Sequence, residues 1–84
     1  MHRTTRRFWE CFDELPAEIQ RVARENFELL KADSRHPSLH FKKVGDFWSA
    51  RVGHAYRALA IKDEASFVWV WIGSHDEYER IIGA

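Results

Sequence analysis

Apolar residues recur first at helical and then at strand spacing along this chain, and the period changes near residue 39. Phe8, Trp9, Phe12 and Leu15 fall on one helical face, which predicts a short helix from Arg6 to about Leu15 with Thr5 as its N-cap. Pro16 stops that helix and, being favoured at the first position of a helix, starts a second. Ile19, Val22, Ala23, Phe27 and Leu30 then form an apolar stripe to about Ala32, with Glu18, Arg21, Glu25 and Glu28 facing outward. The turn-rich segment from Asp33 to Ser38 ends it.

From there the period is two. Leu39, Phe41 and Lys43 alternate with His40, Lys42 and Val44, which predicts a strand ending at Gly45-Asp46. Segments 47–52 and 56–62 read as a hairpin around Gly53-His54-Ala55, so that Val52 faces Tyr56 and Arg51 faces Arg57. Phe67 to Gly73 is apolar on both faces, as in a central strand, with Val68, Val70 and Ile72 expected on one face and Phe67, Trp69 and Trp71 on the other. Ser74-His75-Asp76-Glu77 matches a capping box, so a last helix should begin at His75 and turn Tyr78, Ile81 and Ile82 inward. The first five residues carry no pattern and fit an edge strand as well as a disordered start. The expected fold is α+β: an antiparallel-rich sheet of three to four strands against two N-terminal helices, with a short C-terminal helix, in one domain spanning residues 1–84.

Composition narrows the function classes. A chain of 84 residues supports one core, burying roughly 60% of its unfolded surface. Four Trp and six Phe supply that core, most simply with all four tryptophans inside it. The single cysteine, Cys11, forms no internal disulfide, and no Cys/His spacing resembles a zinc site. The longest apolar run, Phe67 to Ile72, is too short to cross a bilayer, which points to a cytoplasmic protein without a membrane partner. Thirteen basic and thirteen acidic residues cancel, arguing against a protein that coats nucleic acid. The zero hides an asymmetry, because Arg35, Lys42, Lys43, Arg51, Arg57 and Lys62 face only Asp46 within their segment, while acidic residues dominate after Lys62.

The stretch from Phe47 to Tyr78 holds the leading candidates for chemistry. Arginines opposite each other on neighbouring strands repel unless something anionic lies beside them. Arg51 and Arg57 therefore read either as a phosphate clamp, since guanidinium forks match phosphate oxygens, or as a pair neutralised internally by Asp76, Glu77 or Glu79. His75, beside Asp76 and Glu77 at a helix start, is either a surface residue or a general acid or base, the role imidazole fills near neutral pH. Tyr78 is either core or a residue that stacks on a base or supports phosphate. Lys42, Lys43 and the loop residue His54 are weaker candidates for RNA contact, solvated side chains by default.

Four stretches in order resemble the RelE/ParE toxin superfamily of toxin–antitoxin systems, covering about residues 5–82. They are FDELPAEIQ at the junction of the helices, DSRHPSLHFKKVG leading into the sheet, ARVGHAYRALAI with its Tyr-Arg hairpin, and WVWIGSHDEYERII, which resembles HigB-like members. The resemblance implies a small sheet against two helices, and cleavage of messenger RNA on the ribosome without metal or small-molecule cofactor. The partners it implies are the mRNA and a cognate antitoxin. Carried over by position, Arg57 is the Tyr-Arg arginine on phosphate, Arg51 a second clamp and His75 the acid or base, with Tyr78 assisting. Where ribonucleolytic RelE-type members carry lysines before the hairpin, this chain has Phe47 and Ser49. Two alternatives thus stay open: a ParE-like, non-enzymatic toxin that binds DNA gyrase or another protein, and a member without toxicity.

Overall fold

The computed structural model describes residues 1–83. In chain order it contains β1 (His2–Thr4), α1 (Arg6–Asp13), α2 (Ala17–Ala32), a 3-10 turn (Pro37–Leu39), β2 (Lys42–Val44), β3 (Phe47–Val52), β4 (Tyr56–Asp63), β5 (Ser66–Ser74) and α3 (His75–Gly83). The five strands form one sheet in the order β1-β5-β4-β3-β2. All neighbours are antiparallel except β1, which runs parallel to β5. The α+β class stands, with one strand more than the periodicity predicts. The additional strand is β1, held by Phe67 N–H donating to Met1 O (2.8 Å) and Thr5 N–H donating to Trp69 O (3.1 Å).

Local chemistry sets the helix bounds. Thr5 Oγ1 accepts from Phe8 N–H (3.2 Å) and donates to Trp69 O (2.9 Å), so the cap of α1 is also a tether to the central strand. Pro16 is the residue before α2 rather than its first residue. The Gln20 side chain reaches back to Leu15 O (3.2 Å) and adds a second donor at Phe12 O (3.1 Å), which already accepts from Leu15 N–H. On the outer face of α2, Arg21 bridges Glu18 and Glu25.

The core lies between α1, α2 and one face of the sheet. Phe8, Phe12, Ala23 and Leu30 from the helices meet Ala50, Val52, Ala58, Ala60, Trp69 and Ile72 from the strands, with Leu39 of the 3-10 turn between them. Alanines at positions 50, 58 and 60 admit the large rings, and Trp69 keeps only 2% of its surface exposed.

Further expectations require correction, among them the placing of all four tryptophans in the core, since Trp9 is 39% exposed. Residues 39–41 are not strand: Pro37 starts a 3-10 turn in which the His36 ring accepts from Ser38 N–H (3.3 Å), and His40 leaves it in the left-handed region at φ 44°, so pairing begins only at Lys42. Trp71 does not share a face with Trp69. Ala60 pairs with Trp69 while the adjacent Leu59 pairs with Trp71, so Val70 is the extra residue of a bulge and the alternation changes phase there. Ile72 consequently joins Trp69 in the helix-side core, and Trp71 falls with Leu59 on the other face. In α3, Tyr78 is buried and Ile82 half-buried, but Ile81 is 42% exposed.

Candidate functional site

The face of the sheet away from α1 and α2 carries the polar chemistry. Gly53, at φ 61°, permits the tight loop of residues 53–55, and the pairing that follows sets Arg51 directly opposite Arg57. On the next strand Gly73 stands opposite Arg57. A Cβ at Gly73 would come within 2.9 Å of Trp71 Cη2 and 3.1 Å of Glu77 Oε1, so glycine leaves room there for the ring.

From Gly73 the chain passes into α3 through the capping box. Ser74 Oγ accepts from Glu77 N–H (3.2 Å), and Glu77 Oε1 accepts from Ser74 N–H (3.3 Å). His75 N–H donates to Ala55 O (2.7 Å), fastening the start of α3 to the hairpin loop. The same loop holds Arg57, whose Nη1 donates to Tyr56 O (2.8 Å) and His54 O (3.3 Å). The hairpin tip, Arg57 and the first turn of α3 are thereby one connected unit.

Tyr78 completes it. The residue is 7% exposed, its ring lies 5.8 Å from the His75 ring, and Arg57 Cζ stands 6.0 Å from its centroid, in cation–π range. Tyr78 is therefore both buried and in contact with the polar cluster. Leu59 and Ser49, 1% and 3% exposed, are buried outside the helix-side core cluster.

No carboxylate lies within ion-pair distance of these arginines: the salt bridges among the described residues involve Arg3, Arg6, Arg21 and Lys31. Glu77 is committed to the cap. Burial, and then the positive charge of Arg51, push the Arg57 guanidinium below its ordinary value, opposed by Tyr78 and Glu79. Arg51 Nε is buried with no hydrogen-bond partner among the described residues, and its Nη1 lies 3.3 Å from His40 Nε2. Two partly desolvated cations side by side, one with an unused donor, form an environment that an anion would relieve.

The structure brings together Arg51, Arg57, His75 and Tyr78. Lys42 pairs with Ser49, two residues before Arg51, and so stands on the arginines' face; Lys43 pairs with Trp48 and points to the other. His54 is exposed on the loop and meets the cluster through its carbonyl. His40, which the period-two pattern puts on the side of Lys42, also lies against Arg51.

A cavity of about 230 Å³ lies on the opposite side, between the helices and the sheet, lined by residues such as Phe8, Phe12, Ala23, Leu30 and Trp69 with Arg24 and Asn26. Arg51 is among its lining residues, but Arg57, His75 and Tyr78 are not, so most of the cluster lies outside this space. No group of three or more His, Cys, Asp or Glu side chains suited to a metal ion occurs among the described residues. Among the same residues, no helix is long and apolar enough to cross a membrane.

The family model described as ParE-like toxin domain matches residues 17–80. The chain belongs to the ParE-like toxin domain family. That match runs from the first residue of α2 through most of α3 and takes in every residue of the cluster. Two solved structures share the fold of this ParE-like domain. One is the RelB–RelE antitoxin–toxin complex from Methanococcus jannaschii, 13% identical, with a TM-score of 0.73 over 94% of this chain and 96% of that one. The other is a copper-bound mutant toxin from Helicobacter pylori, 15% identical, with a TM-score of 0.59 over 90% and 94%. No curated protein matches the sequence.

Proposed function

We propose that this ParE-like domain is the toxin of a toxin–antitoxin pair and that it cleaves messenger RNA on the ribosome. The observation that carries the reading is the cluster itself: two arginines in register on β3 and β4, joined through Tyr78 to His75. Cleavage by the RNA's own 2′-hydroxyl needs positive charge on the phosphate as its equatorial oxygens gain charge, and proton carriers for the attacking and leaving oxygens. Arg51 and Arg57 supply the charge, and His75 supplies an imidazole at the leaving-group end. Tyr78 lies between them, in contact with Arg57 on one side and His75 on the other. Lys42, on the same face, extends the basic track along which an RNA backbone would run.

A cognate antitoxin is inferred from the RelB–RelE complex among the fold's neighbours. Inducible expression tests the reading when growth and mRNA integrity are followed together. Wild type is expected to arrest growth and cut translated mRNA, whereas Arg57→Ala and His75→Ala should do neither at equal abundance. Arrest with intact mRNA and a supercoiling defect would overturn cleavage in favour of a gyrase-directed toxin.

A further inference from the structure

The cleavage chemistry needs two proton carriers, and the cluster named so far contains one imidazole. We infer that His40 is the second: the general base that takes the 2′-hydroxyl proton, with His75 as the acid at the far end of the arginine pair. This inference rests on the cleavage reading above.

Contacts run in a single row. His40 Nε2 lies 3.3 Å from Arg51 Nη1, Arg51 stands opposite Arg57, Arg57 lies over Tyr78, and Tyr78 lies against His75. His40 thus stands at one end of this run of contacts and His75 at the other, with the two guanidiniums between them. The His40–Arg51 contact also fixes a tautomer. A guanidinium has only donors, so Nε2 of His40 must accept, which places the ring proton on Nδ1 and aims a lone pair at the clamp. Backbone conformation supports a built position, because His40 holds φ 44° and ψ 43°, where non-glycine residues are uncommon. Pro37 and the 3-10 turn impose that conformation, and it delivers an exposed imidazole to the arginine face.

A phosphate entering between the arginines takes over the Arg51 N–H that now points at His40, freeing the Nε2 lone pair. The 2′-hydroxyl then gives its proton to His40 as O2′ bonds to phosphorus. The P–O5′ bond breaks, and its electron pair leaves on O5′, which takes a proton from the imidazolium of His75. The products are a 2′,3′-cyclic phosphate and a 5′-hydroxyl, with His40 protonated and His75 neutral.

The test uses the purified full chain and a ribosome carrying a short mRNA, made with either the normal linkage or a 5′-bridging sulfur at the cut site. A sulfur leaving group needs no proton, so it rescues loss of the acid but not of the base. Asparagine is the replacement at His40 because it tolerates the left-handed region. On the oxygen linkage, His40→Asn and His75→Gln should each lose about 10²–10⁴-fold in rate. On the sulfur linkage, His75→Gln should recover to within about tenfold of wild type, and His40→Asn should stay low. Nitrogen chemical shifts should show His40 protonated on Nδ1 in wild type and lose that preference in Arg51→Gln. Full activity of His40→Asn on the oxygen linkage, or its rescue by sulfur, overturns the base assignment while leaving cleavage intact. A wild type that cuts neither substrate overturns the cleavage reading and this assignment with it.

Discussion

Replacing Arg51 by methionine should make the fold more stable and the toxin less active. Methionine keeps an apolar stem of similar reach but removes the charge opposite Arg57 and the buried Nε that lacks a partner. Leaving a buried donor unsatisfied costs about 1–3 kcal/mol, and the lower end applies because Arg51 is only half-buried. Like charges directly opposite across strands cost up to about 1 kcal/mol more. Against this stands the exposed contact to His40, worth about 0.5 kcal/mol. The bond from Asn26 Nδ2 (3.2 Å) goes to the Arg51 carbonyl and survives the change. The balance is a gain of about 1 kcal/mol, or roughly 4–8 °C in Tm for a domain of this size. Urea unfolding at low and high salt separates the contributions: near 1 M salt the Debye length is about 3 Å, so the repulsive part of the gain should fade while the desolvation part persists. Inorganic phosphate should narrow the gap further by stabilising the wild type alone. Ribosomal mRNA cleavage should fall about 10²-fold or more once one phosphate-facing charge is gone. A loss of about 1 kcal/mol or more, insensitive to salt and phosphate, would refute the view that the pair is held against its own repulsion for an anion.

Further outcomes follow from single contacts. Gly73→Ala should cost about 1–3 kcal/mol, read by thermal unfolding, since the new Cβ meets Trp71 and Glu77 and displaces the Trp71 ring. Ser74→Ala should cost about 1 kcal/mol and reduce cleavage more than a surface change of equal cost, because the cap it removes sets the position of His75. His2 lies among Phe27, Phe41, Phe67 and Trp69 and accepts from Trp69 Nε1 (3.2 Å); burial first, then the N-terminal amine and Lys31, hold it below the ordinary imidazole value. The unfolded chain therefore binds the His2 proton more readily, so this contribution to stability is complete above about pH 6.5 and is lost as pH falls through the lower folded value. In denaturant titrations from pH 7.5 to 5, His2→Gln should flatten that part of the decline; an unchanged slope would rule His2 out as its source.

What could be read from the sequence was whatever short-range chemistry decides. The Arg51–Arg57 register follows from a three-residue loop and a glycine, and the start of α3 from the Ser74/Glu77 reciprocity, each specified within a few residues. The features that escaped depend on distant segments. β1 is three residues with no periodicity of its own and exists because β5, over sixty positions away, offers it an edge. The bulge at Val70 arises from how β5 meets β4, and no alternation within β5 announces it. His40 reads as one more residue of a strand until the 3-10 turn lifts it out and places it against Arg51.

The central claim is that the arginine–histidine face cuts RNA, and its most direct test is cleavage of a defined mRNA on programmed ribosomes by the purified protein, with both product ends mapped. Wild type should yield a 2′,3′-cyclic phosphate and a 5′-hydroxyl, with Arg57→Ala and His75→Ala at least about 10²-fold slower. Intact mRNA with folded wild type, or cleavage undiminished in both variants, would contradict the account.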